Sequence, residues 1–258
     1  MRKKKVQMKH LKNNIIVLLF LSIIFGFFSC AHKSGHKTRN RTEATQQTRQ
    51  TVNRNNTEKA KPILSPSNKR SNTKLEGKDV FDKYASAVFM IFTSDGMNGY
   101  QGSGFFIDNN GLAVSNYHVF KGTGQGMEQI KLSGDDTQYH VSEVITSSED
   151  EDFILFRVNC GNTNYIPIAT AKPKIGEKVF AIGSPRGLEN TFSSGEVSQW
   201  RDTNLMQISA LIDHGSSGGA LINEYGEVVG ITTGTFADGS QANLNYAWSI
   251  DVVKPYLK

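Results

Sequence analysis

Cysteine is almost missing from this sequence: there are two among 258 residues, Cys30 and Cys160. Cys30 closes an apolar run near the N-terminus, so Cys160 stands alone in the remainder, and a domain stapled by disulfides is excluded. Cys160 is expected to be a small apolar strand residue. Long apolar runs are scarce too. The one candidate, Ile15 to Phe28, has about 14 residues, short of the ~20 that a spanning helix needs. Acidic side chains are few in residues 1–80, which hold 4 against 18 Lys and Arg; residues 81–258 reverse the balance, with 20 acidic against 11 basic. The formal charge of +5 therefore combines two opposite parts. The basic excess belongs to the N-terminal segment, which excludes a nucleic-acid-binding domain as the partner class of the folded part. No amphipathic helical pattern follows Tyr84, which argues against a helical bundle. No His/Cys/Asp spacing suggests a metal site, and no cofactor is expected.

What is present begins with an address. Arg2, Lys3, Lys4, Lys5, Lys9 and Lys12 precede the apolar run, which describes an export signal. Its end, Phe27-Phe28-Ser29-Cys30-Ala31, resembles the lipobox of bacterial lipoproteins, with Phe27 where Leu is typical. That resemblance implies lipidation at Cys30 and a bacterial cell-envelope protein held to a membrane lipid, facing the periplasm or the exterior. An uncleaved anchor and simple secretion are the alternatives. Residues 31 to about 77 are rich in Thr, Asn, Gln, Lys and Arg and bury too little apolar surface to offset ordering entropy. They read as a flexible basic tether, either lying along an anionic lipid surface or serving as a solvated spacer. The expected organisation is a lipoprotein-type signal peptide over 1–29, a disordered basic tether over 30–77 and one folded domain over 78–258.

The texture changes at Val80. Val80 to Ala85 reads as a short helix leading into a strand over Ala87–Thr93. Phe105-Phe106-Ile107 and Leu112-Ala113-Val114 flank Asn109-Asn110-Gly111, a hairpin signal. Further strands are expected over Val179–Ile182, Glu227–Thr232 and Leu244–Ile250. Many short strands separated by Gly, Asn and Asp indicate an all-β sandwich or barrel, and composition does not choose between them.

Three segments carry chemistry. Asp213-His214-Gly215-Ser216-Ser217-Gly218-Gly219 sets a serine in a glycine-rich turn before an apolar strand. Such a turn bends tightly and aims consecutive N–H groups at one point, although an ordinary hairpin loop has the same composition. His118 follows the strand-like Leu112-Ala113-Val114 closely. Glu149-Asp150-Glu151-Asp152 precedes Phe153-Ile154-Leu155-Phe156, and the acid touching the apolar run is the one expected at a strand start. A nucleophile, a base and an orienter for that base are the parts of acyl transfer to serine.

These segments, with Gly102-Ser103-Gly104-Phe105-Phe106-Ile107 and Gly183-Ser184-Pro185-Arg186-Gly187-Leu188, occur in the order found in HtrA-type serine proteases. The match runs from about Val80 to the C-terminus. The resemblance implies two six-stranded antiparallel β-barrels of the trypsin-like class, over about 80–170 and 171–258. It implies a serine endopeptidase acting on exported or misfolded polypeptides, with Ser217 as nucleophile, His118 as general base and Asp152 as its orienter, and Asp150 as the second choice. The Gly215 and Ser217 N–H groups match the oxyanion hole. Leu211, six before the nucleophile, matches the base of the pocket for the residue preceding the scissile bond, with walls from Thr232, Thr233, Gly234, Thr235, Tyr246 and Trp248; leucine there implies an apolar preference. Ser216 departs from the usual Asn or Asp, and His214 from a common Pro. A PDZ domain, frequent in the family, is not expected after Asp251. Homo-oligomer assembly is a further implication beside a monomer. The competing reading is a catalytically silent relative that binds peptides or partner proteins in the same cleft.

Overall fold

A computed structural model describes residues 71–124, 126–184, 190–234 and 244–257. Cys30, the expected leader and residues 31–70 of the expected tether lie outside them.

The expected short helix is α1 (Gly77–Tyr84), which turns Val80 and Tyr84, four residues apart, into the core. Residues 71–76, expected within the tether, make backbone contacts with the domain. Ser71 N–H donates to Tyr225 O at 3.2 Å, Leu75 N–H donates to Glu224 O at 2.7 Å, and the Leu75 side chain packs on the core. Lys74 Nζ adds an ion pair to Glu224 at 2.6 Å.

The chain then builds β1 (Val88–Ser94), β2 (Gly99–Phe106), β3 (Leu112–Ser115), a four-residue helix α2 (Tyr117–Phe120), β4 (Gln129–Leu132), β5 (Gln138–Tyr139), β6 (Val141–Ser148) and β7 (Phe153–Val158). They pair antiparallel in the order β5-β4-β1-β2-β3-β7-β6. The hairpin read from Asn109-Asn110-Gly111 is the β2–β3 connection, with Phe105 opposite Val114 and Phe106 opposite Ala113. Gly111 has φ +80°, and a Cβ there would stand 2.1 Å from Val158 O, so the turn needs glycine.

This first half is an open seven-stranded sheet, where a closed six-stranded barrel was expected. Its two edges, β5 and β6, are separated only by His140. The corner is held by Glu128, which is buried: its carboxylate accepts from Gly126 N–H at 2.9 Å and Val141 N–H at 3.1 Å, while its carbonyl meets His140 Nδ1 at 2.6 Å.

The second half has β8 (Lys178–Gly183), β9 (Thr191–Trp200), β10 (Leu205–Ile208), β11 (Ala220–Asn223), β12 (Val228–Thr233) and β13 (Asn245–Ser249). They close into a barrel in the order β10-β13-β12-β11-β8-β9. The all-β expectation holds. Cys160, expected in a strand, lies just beyond β7; it is half-buried, and burial raises its thiol above the usual value.

Three apolar cores follow from this arrangement. Phe89, Ile91, Phe106, Ile130 and Phe156 fill the concave side of the first sheet. Val179, Val197, Met206, Leu221 and Val229 fill the second barrel. A third core runs along the seam between the halves and includes Phe105, Phe153, Phe180, Ile182 and Ile231. The chain ends cross this seam in opposite senses. Phe81 of α1 packs on Phe192 of the second barrel at 5.9 Å between ring centroids, and Tyr256 packs on Phe153 of the first sheet at 5.8 Å.

Candidate active site

His118 is carried by α2, which starts immediately after β3 with Asn116 as its N-cap residue. Asp152 occupies the tight turn between β6 and β7, with φ +45°. The left-handed region is uncommon for any residue with a Cβ, though Asp and Asn tolerate it best. The conformation is held by Asn116 Nδ2, which donates to Asp152 O at 2.8 Å.

The Asp152 carboxylate faces the imidazole. His118 Nδ1 lies 2.8 Å from Oδ2 and 3.0 Å from Oδ1, and the His118 backbone N–H donates to Oδ1 at 2.9 Å. A carboxylate only accepts, so Nδ1 carries the proton and Nε2 keeps its lone pair. Thr233 Oγ1, from the end of β12, donates to Asp152 Oδ2 at 3.1 Å. The orienting acid thus draws on both halves of the fold. His118 keeps its side chain 46% exposed while Asp152 is 17% exposed, as suits a base that must meet a substrate and an acid that need not. Asp150, the second choice, is exposed, and Glu149 pairs with Lys121.

The serine loop belongs to the second barrel and precedes β11. Ser216 N–H donates to Asp213 O at 2.9 Å, and Gly215 has φ +93°, which together describe a type II turn over residues 213–216. Among the described residues, neither the Gly215 nor the Ser217 N–H donates to any acceptor. The loop is pinned to the first sheet. Ser103 N–H on β2 donates to Ser217 O at 2.8 Å, and Ser103 Oγ donates to Gly215 O at 2.7 Å. Gly218, φ +87°, abuts the segment leading to His118: a Cβ there would meet Ser103 O at 2.2 Å and Ser115 Oγ at 2.3 Å.

Successive residues at the end of β12 join the parts. Thr232 Oγ1 donates to Ser216 O at 2.7 Å, and Thr233 donates to Asp152. The Cβ position of Gly234 lies 3.8 Å from Ser217 Oγ. His118, Asp152 and Ser217 therefore gather on one seam.

The expected pocket residues fare differently. Thr232 and Thr233 spend their hydroxyls on the serine loop and on Asp152. Tyr246 stands opposite Thr233, and Trp248, opposite Ile231, packs on the seam core. Thr235 lies outside the described residues. Leu211 is 71% exposed, and the neighbouring Ile212 is the side chain packed against the second barrel's core. Asn116 and Ser103 escaped the sequence reading, although Ser103 stands inside the quoted Gly102–Ile107 motif; a serine between two glycines at mid-strand is the available signal for it.

A family model described as a trypsin-like peptidase domain matches residues 102–231. The mitochondrial serine protease HTRA2 of Drosophila virilis is 30% identical over 182 residues, covering 66% of this chain and 42% of that protein. The chloroplastic protease Do-like 1 of Arabidopsis thaliana is 30% identical over 167 residues, covering 59% of this chain and 37% of that one. Among solved structures, the serine endoprotease from Yersinia pestis matches with a TM-score of 0.63 at 26% identity, over 71% of this chain and 65% of that chain. The chain thus spans less than half the length of these two sequence relatives.

Proposed function

The chain belongs to the trypsin-like peptidase family, in its HtrA-like branch, and within it we propose that this protein is an active serine endopeptidase using His118, Asp152 and Ser217. The observation that carries the reading is the paired contact at the end of β12, where Thr233 meets Asp152 and Gly234 borders the Ser217 hydroxyl.

In this mechanism His118 Nε2 takes the Ser217 proton as Oγ attacks the scissile carbonyl. The resulting oxyanion accepts from the Gly215 and Ser217 N–H groups. Collapse breaks the C–N bond, and the leaving amine takes the proton from His118. Water, deprotonated by the same imidazole, then cleaves the acyl ester, releasing the new carboxyl end and restoring the serine. Asp152 keeps Nδ1 protonated throughout and stabilises the imidazolium. Fixed N–H donors aimed at the developing charge supply the largest share of the acceleration.

The substrate class follows from chemistry and kinship: extended segments of unfolded or exported polypeptides, laid along the seam. The leader ending at Cys30 supports a lipid-anchored position in a cell envelope, and Cys30→Ser should abolish metabolic labelling of the protein with palmitate. The test of activity is cleavage of a permanently unfolded protein such as reduced, alkylated casein by the full chain. Cleavage that vanishes in Ser217→Ala supports the proposal. Equal cleavage by both, or none by either with a peptide activator added, favours a silent peptide-binding relative.

A further inference from the structure

Ser103 has no assigned role, yet no other residue of the first sheet reaches the oxyanion turn so fully. It is buried completely in the middle of β2. Its backbone N–H donates to Ser217 O at 2.8 Å, across the seam. Its carbonyl accepts from Ser115 Oγ at 2.7 Å. Its hydroxyl accepts from Ser184 N–H at 2.9 Å and donates to Gly215 O at 2.7 Å. With Ser184 occupying an acceptor site on the oxygen, the hydroxyl proton is directed to Gly215, and donor and acceptor reinforce each other.

The turn explains why this matters. A type II turn differs from type I by a flip of its central peptide, here the one between His214 and Gly215, with little change in the peptides on either side. That flip reverses the Gly215 N–H, one of the two donors required by the mechanism. The frame around the flippable peptide is held by Ser216 N–H on Asp213 O, by Thr232 Oγ1 and Gly219 N–H on Ser216 O, by Gly218 N–H on Thr232 O, and by the two Ser103 contacts on Gly215 O and Ser217 O. The two Ser103 contacts are the ones that come from the first sheet.

We propose that Ser103 is a positioning residue: its hydroxyl, set by Ser184 N–H, holds the Gly215 carbonyl so that the turn presents the Gly215 and Ser217 N–H groups to the oxyanion. The proposal rests on the protease reading given above.

The test compares Ser103→Ala, Ser103→Cys and Ser103→Thr in the full chain, with Ile130→Val as a control for lost packing in the first sheet. The expected result for Ser103→Ala is a fall in kcat of about 30-fold with KM changed less than about twofold, and a parallel loss of affinity for a peptidyl boronate, which mimics the tetrahedral state. Ser103→Thr, which retains the hydroxyl, recovers most of kcat, whereas Ile130→Val lowers the melting temperature without touching kcat. If Ser103→Ala does not fold, Ser103→Cys, with a weaker donor of similar size, must still lose kcat with KM kept. Ser103→Ala or Ser103→Cys variants with wild-type kcat, or a loss confined to KM, overturn the proposal while leaving an active wild type as evidence for the protease. A wild type that neither cleaves protein nor binds the boronate overturns both.

Discussion

The two halves of the domain close in different ways. The second barrel closes by hydrogen bonds, with β9 pairing to both β8 and β10. The first sheet leaves β5 and β6 unpaired to one another and turns the corner through one residue, His140, over the buried Glu128 carboxylate. Yet the more open half supplies the two groups whose mutual geometry is tightest, His118 and Asp152. Both sit at ends of the central, fully paired part of that sheet, where β3 and β7 are neighbours and Ser115 stands opposite Ile154. Barrel closure and catalytic geometry are therefore separable. The site depends on the seam, where each half holds a part belonging to the other: Thr233 of the second barrel supports Asp152, and Ser103 of the first sheet supports the Ser217 loop.

That separation yields graded ways to break it. The largest effect should come from Asp152→Asn. It preserves shape but turns the orienting acceptor into a donor-bearing amide, and kcat should fall by about 10⁴, the magnitude known for this change in the chymotrypsin class; the fold, read by circular dichroism, should be unchanged. Next is Gly218→Ala. Its methyl group would overlap Ser103 O at 2.2 Å at a residue with φ +87°. A cost of about 3 kcal/mol and a melting temperature lower by at least about 6 °C are expected, with activity lost because the seam itself is forced apart. Glu128→Ala comes third. It strands the Gly126 and Val141 N–H groups at the open corner, for about 2 kcal/mol of stability, but kcat of the folded fraction should stay within about twofold of wild type. If kcat fell as much as in Gly218→Ala, corner and site would be coupled and the comparison would fail. The smallest effect belongs to Thr233→Val, which removes one of several donors to Asp152; about a tenfold drop in kcat is expected, with thermal stability nearly kept.

The contrast between the halves also marks what the sequence reveals. The segments legible in advance are those with a strong local signal: the Asn109-Asn110-Gly111 turn, the apolar run of β7 after its acidic turn, and the glycine-rich loop before β11. β6 and β9 were not legible. β6 leaves Val144 54% exposed and is largely solvated, so it lacks alternation, and β9 is polar with Gly195 in its interior. Strands that are defined by partners rather than by their own pattern leave little trace in one dimension. His118, Asp152 and Ser217 could be singled out because each abuts such a local signal. Their hydrogen-bonding neighbours could not, because Ser103, Asn116 and Thr233 make contacts across 36 to 112 residues of sequence.

The most direct test of the central claim, a triad assembled across the seam, is to treat the full chain with a fluorophosphonate and locate the adduct by mass spectrometry of its peptides. The account predicts one covalent adduct on Ser217, formed at a rate that falls by orders of magnitude in His118→Ala while the fold persists. An unmodified Ser217 in a folded protein, or labelling that is indifferent to His118, would contradict it.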